Sequence, residues 1–119
     1  MSLNAYQRAR SIVETPRQAE RRLMCEITRE MVQARDAGRI GGALIEPLHR
    51  NRELWSTFSS ACGSSGNALP PAMRASIVSL ALWVDQFTSH VVVGQESIDD
   101  LIAVNRDIID GLSGTGLPG

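Results

Sequence analysis

The chain has 119 residues and 12.9 kDa, with 43% hydrophobic and 21% charged residues and only five aromatics, Tyr6, Trp55, Phe58, Trp83 and Phe87. That suits one soluble globular domain with a mainly aliphatic core, which needs no disulfide or metal support and favours packed helices over a sandwich or barrel. Twelve arginines, no lysine and thirteen acids give a formal charge of −1, which argues against the basic face of a nucleic-acid binder or of a helix lying on a membrane.

The charge is unevenly spread. Residues 1–60 carry ten arginines against seven acids, and residues 61–119 carry Arg74 and Arg106 against six acids. The plain reading is that the halves pair within one fold; the sharper one is a polarised surface that steers a partner. Cys25 and Cys62 lie far apart among apolar residues with no CxxC, and read as reduced core residues of a cytosolic protein. The first residues lack an apolar signal core, and the longest apolar stretch, 77–93, is broken by Ser79, Asp85, Gln86 and His90. A cytoplasmic location without membrane insertion is therefore expected.

In chain order, residues 4–13 read as a short N-terminal helix, with Asn4 and Gln7 as a capping pair. Thr15-Pro16-Arg17-Gln18 opens the next helix: a cap hydroxyl, proline at the first helical position and glutamine at the third. Leu23, Ile27, Met31 and Ala34 mark its apolar face and Gly38 its end. Leu44, Leu48, Asn51, Trp55, Phe58 and Cys62 step by 4, 3, 4, 3 and 4 along a third helix, in which Pro47 predicts a kink or a break. Residues 63–68 read as a loop.

Pro70-Pro71 opens the most apolar segment. Met73, Ile77, Leu80, Val84, Phe87 and Val91 repeat the same rhythm, and Ala81, Leu82, Trp83 and Val92 widen the stripe until little polar face remains. That pattern predicts a central helix buried on several sides, ending at Gly94. Ser97-Ile98-Asp99-Asp100 caps a last helix with Ile98, Leu101, Ile102, Ile108, Ile109 and Leu112 on one face and Gly111 at its end. The expected fold is all-α: a small bundle of four main helices plus a short N-terminal helix, forming one domain over 1–112 with a flexible tail at 113–119.

Candidate chemistry is sparse. His49 and His90 are isolated on separate helices, and no HExxH, P-loop or GxGxxG occurs. Gly38-Arg39-Ile40-Gly41-Gly42 follows a helix rather than a strand and makes no phosphate cradle, while adjacent Asp99 and Asp100 are better explained by capping than as a metal pair. Neither catalysis nor a cofactor or metal is expected. Arg50 and Arg52 flank Asn51 just before Trp55, but the acidic last helix would repel a phosphate backbone, so direct nucleic-acid contact is not expected either.

Several segments together resemble the FlaF family of flagellar biosynthesis regulators. They are Ala5-Tyr6, Pro16-Arg17 with Glu20, Asn51-Arg52-Glu53-Leu54-Trp55, Leu80-Ala81-Leu82-Trp83-Val84, and the run from Leu101 to Leu112 that contains Val104-Asn105-Arg106 and Ile108-Ile109-Asp110-Gly111. They fall in the family's order and span nearly the whole chain. The resemblance implies a small cytoplasmic protein needed for flagellin production and export. Its relatives are thought to bind unexported flagellin and to oppose FlbT, which restrains flagellin translation, and no enzymatic activity or cofactor is implied.

On that basis a flagellin segment is expected to lie in an apolar groove beside the 48–62 helix, the helix-in-groove mode of recognition. Trp55 would anchor it with Leu48 and Phe58, and Arg50, Asn51 and Arg52 would form the rim. The plain alternative places Trp55 in the core. Asn105 and Arg106, which interrupt an apolar helix, either hydrogen-bond a neighbouring helix or face the partner. The competing functions are an RNA-directed regulator of flagellin message, acting with or against FlbT, and a structural adaptor of the export apparatus. Neither the flagellin segment held nor the oligomeric state can be read from these residues.

Overall fold

Four α-helices follow one another in the computed structural model, which describes residues 16–63 and 69–114. They are α1 (Pro16–Asp36), α2 (Ile45–Cys62), α3 (Pro71–Val92) and α4 (Asp99–Gly114), with a 3₁₀ turn (Gly41–Leu44) leading into α2. There is no strand among the described residues. The expected N-terminal helix at 4–13 and most of the 63–68 loop lie outside them.

The helix ends follow the punctuation of the sequence. Gly38, at φ 76°, ends α1: its N–H donates to Arg35 O, and the Arg39 N–H reaches Ala34 O. Gly94, at φ 81°, repeats the arrangement after α3 through Gly94 N–H to Val91 O and Gln95 N–H to His90 O. Both are Schellman turns, whose C′ residue takes a left-handed conformation that glycine adopts without a side-chain clash. Pro70 caps α3 and Pro71 is its first residue.

Two breaks differ from expectation. Pro47 neither kinks nor splits α2, because it is the third residue of that helix, where its missing N–H would have had no partner; the change of geometry comes earlier, at the 3₁₀ turn. Gly111 does not stop α4, which continues to Gly114. A Cβ placed on Gly111 would lie 3.3 Å from Met73 Cε, so the glycine marks a close approach of α4 to the start of α3.

The larger difference concerns which helix is central. α2 packs against both α1 and α3, and α1 packs against α4, whereas α3 and α4 touch only lightly. Every member of the expected α2 stripe is buried, from Leu44 to Cys62, and Pro47 and Leu54 join it. On α3 only Ile77, Val84, Thr88 and Val91 are buried. The predicted central helix is therefore an outer one. On α1 the buried face is Met24, Ile27, Thr28, Met31 and Ala34, and on α4 it is Leu101, Ile102, Asn105 and Ile108, with Ile98 just before the helix.

Candidate functional site

The residues expected to form a partner groove build the interior instead. Leu48, Trp55 and Phe58 are each 1% exposed, and Asn51 and Asn105 are fully enclosed. Trp55 and Phe58 pack as tilted rings, centroids 6.1 Å apart. A chain of hydrogen bonds joins the enclosed polar groups, with Asn51 Nδ2 alone of the asparagine amide atoms left without a partner among the described residues. The Trp55 Nε1–H donates to Asn105 Oδ1 at 2.8 Å, and Asn105 Nδ2 donates to Asn51 Oδ1 at 2.8 Å and to Thr28 Oγ1 at 3.0 Å. The Thr28 hydroxyl donates to Met24 O at 2.6 Å. This network joins α1, α2 and α4 and fixes their register. Burying these groups without such partners would cost about 1–3 kcal/mol each.

The three arginines among the expected site residues, Arg50 and Arg52 of the rim and Arg106, have separate fates. Arg50 forms an ion pair with Glu30 across α1 and α2. Arg52 ties α2 to α3: its Nη2 donates to Asp85 O at 2.6 Å and to Ser89 Oγ at 2.9 Å, and its Nε lies 3.0 Å from Asp85 Oδ1. Arg106 is exposed on α4. Of the eight expected site residues only Arg106 stands free on the surface. The reading of Trp55 as a surface anchor is thereby corrected: the α2 stripe is fully used by the protein's own core, leaving no apolar side chain there for a partner.

Apolar surface is found instead on α3. From Ala75 to Phe87 the only charged residue is Asp85, which Arg52 holds. Leu82 is 65% exposed and Val78 39%, one helical turn apart on the outer side. Trp83 and Phe87 stack on the adjoining flank, centroids 4.6 Å apart and 21° from parallel, both half-buried. Ser79 and Gln86 are exposed between the two groups, and Asp85, paired with Arg52, shares the side of Val78 and Leu82. A face whose one charge is already paired can take the apolar side of another helix at a modest cost in charge desolvation. The widened stripe of this segment was the available signal. All-round apolarity fits either a buried helix or one that offers a face to a partner, so by itself it does not separate the two.

The other titratable groups are ordinary surface or core features. Asp99 is held below the usual carboxylate range by the Arg35 guanidinium, at 3.0 Å, and then by Ser97, whose hydroxyl accepts the Asp99 N–H. Burial pushes the Cys62 thiol up, and Glu20 adds to this. Cys25 is half-buried on the arginine-rich side of α1 rather than in the core, and both cysteines are free. His49 pairs with Glu53 at 2.8 Å on the surface. No group of three or more metal-ligating side chains occurs among the described residues, and no described helix is long and apolar enough to cross a membrane.

Together these features define a small all-α protein with a polar-keyed interior and one outer helix that exposes apolar side chains. The chain belongs to the FlaF family: the family model described as flagellar protein FlaF matches residues 2–112, nearly its whole length. No curated protein sequence and no solved structure matches it.

Proposed function

We propose that this flagellar protein binds unexported flagellin in the cytoplasm as a secretion chaperone, and so promotes flagellin synthesis and export, in opposition to FlbT. Support comes from the family and from one observation, the outer face of α3 on which Val78 and Leu82 stand exposed and whose one charge, Asp85, is paired with Arg52. Flagellin's terminal segments form apolar helices that must stay unassembled before export. Laying such a helix along α3 covers its apolar face, and Trp83 and Phe87 supply the aromatic edge that dominates many interfaces.

Calorimetry of purified flagellin with this protein tests the reading. Leu82→Glu, alone or with Val78→Glu, is expected to weaken binding about tenfold or more per residue while leaving the circular dichroism spectrum unchanged, since a buried aliphatic contact contributes roughly 1.5–3 kcal/mol. Unchanged affinity in the folded variants overturns the α3 site, and no binding with flagellin as the sole other component favours the export-apparatus adaptor. Binding to flagellin message that falls steeply between low and moderate salt favours the RNA-directed regulator, because phosphate contacts release counterions.

A further inference from the structure

Where α1 and α3 end and α4 begins, the helices leave a cleft of about 740 Å³. Its floor is apolar, with Leu44, Val91 and Ile98 buried, while Ile40 and Val93 project from its rim at 80% and 67% exposure. Arg39 and Glu96 stand on the same rim, both exposed. Neither side chain has an ion-pair or hydrogen-bond partner among the described residues. Arg35, also at the cleft, is already engaged by Asp36 and Asp99.

The rim is held by backbone geometry. The two Schellman turns at Gly38 and Gly94 set the directions in which Arg39-Ile40 and Gln95-Glu96 leave their helices. The Glu96 N–H also donates to His90 O, and Gln95 Oε1 lies 3.1 Å from His90 Nδ1. Gly41, at φ 56°, comes against the end of α3, where its Cβ position would lie 3.6 Å from Val92 O. The patch is thus preorganised, so docking onto it requires little ordering of the chain.

We propose that this cleft is a self-association site, occupied by a second copy of this chain related by a two-fold axis. The charge pattern selects that occupant. The rim carries one unpaired cation and one unpaired anion, and an isologous contact sets Arg39 of each copy against Glu96 of the other. Ile40 and Val93 of each copy then enter the opposite cleft. A foreign partner would have to bring both complementary charges itself; a second copy already has them. The contact is confined to one end of a small bundle, so a reversible monomer–dimer equilibrium is expected rather than a permanent dimer.

Sedimentation equilibrium of the full chain over a concentration series tests this. The wild type is expected to show a reversible monomer–dimer equilibrium, and Val93→Glu to abolish the dimer. Arg39→Glu and Glu96→Arg should each weaken it roughly tenfold, since each reversal turns two attractive pairs into repulsive ones. The double variant R39E/E96R restores opposite charges across the two-fold and should return to within about threefold of wild type, which a heterologous partner site would not do. All these positions are exposed, and circular dichroism checks the fold. A wild type that stays monomeric throughout, or single reversals that weaken the dimer without recovery in the double variant, overturns the proposal. Leu82→Glu should leave the dimer intact; its dissociation would move the contact to the outer face of α3 and overturn the cleft assignment. Failure of flagellin binding, by contrast, does not bear on it.

Discussion

Helices α2 and α3 carry the same apolar rhythm and one tryptophan each, yet they have opposite positions in the molecule. Trp55 on α2 is 1% exposed and its indole N–H is matched by Asn105. Trp83 on α3 is half-buried, packing on the edge of the core and stacking on the Phe87 ring. The difference lies in the neighbours. α2 is flanked by α1 and α3, while α3 has α2 on one side, little of α4 on another, and solvent beyond. Periodicity shows which side of a helix turns inward; it does not show how many helices meet there.

The sharpest way to break this comparison is truncation of the two tryptophans. Trp55→Ala should cost about 3–5 kcal/mol in a denaturation series, the range for removing a large enclosed aromatic, with a further loss for the indole bond. Trp83→Ala should cost less than half of that, because its site is already partly open to water. Equal losses would mean that α3 is as enclosed as α2.

A smaller effect separates the two buried asparagines. Asn105→Leu strands the Trp55 N–H, the Asn51 carbonyl and an acceptor site of Thr28, and should cost about 3 kcal/mol. Asn51→Leu removes one acceptor but also an Nδ2 that is buried with no hydrogen-bond partner among the described residues, so its cost should stay within about 1 kcal/mol. Chemical denaturation of both variants measures the gap, and a reversed order would break the assignment of Asn105 as the hub.

The smallest expected effect is at the exposed join of α1 and α4. Arg35 lowers the pKa of Asp99, so the carboxylate's contribution is present above the usual aspartate range and is lost as pH falls through its depressed folded value. Asp99→Asn should therefore shift the denaturation midpoint slightly at neutral pH and not at all in strong acid, and added salt should shrink the neutral-pH difference.

Much of the fold was legible before any coordinates. The proline starts at Pro16 and Pro71 and the glycine stops at Gly38 and Gly94 are local backbone chemistry, independent of what packs where. That the Leu44–Cys62 stripe marks the inward side of α2 likewise follows from its spacing. The candidate site was not legible, because the residues that looked most like an interface, Trp55 with its arginines, are the ones the core uses. Of the residues that face outward, Leu82 was hidden within a stripe that looked uniformly buried, and Val78 stood outside the stripe.

The amino-acid order by itself determined four helices, the starts at Pro16 and Pro71 and the stops at Gly38 and Gly94, since propensity, capping and periodicity act within a few residues of chain. Only the tertiary arrangement decided that α2 is the centre, that Asn105 meets Trp55 across fifty positions, and that α3 keeps an apolar face toward water. Burial depends on how many neighbours share a helix, and that number comes from the packing of the whole bundle.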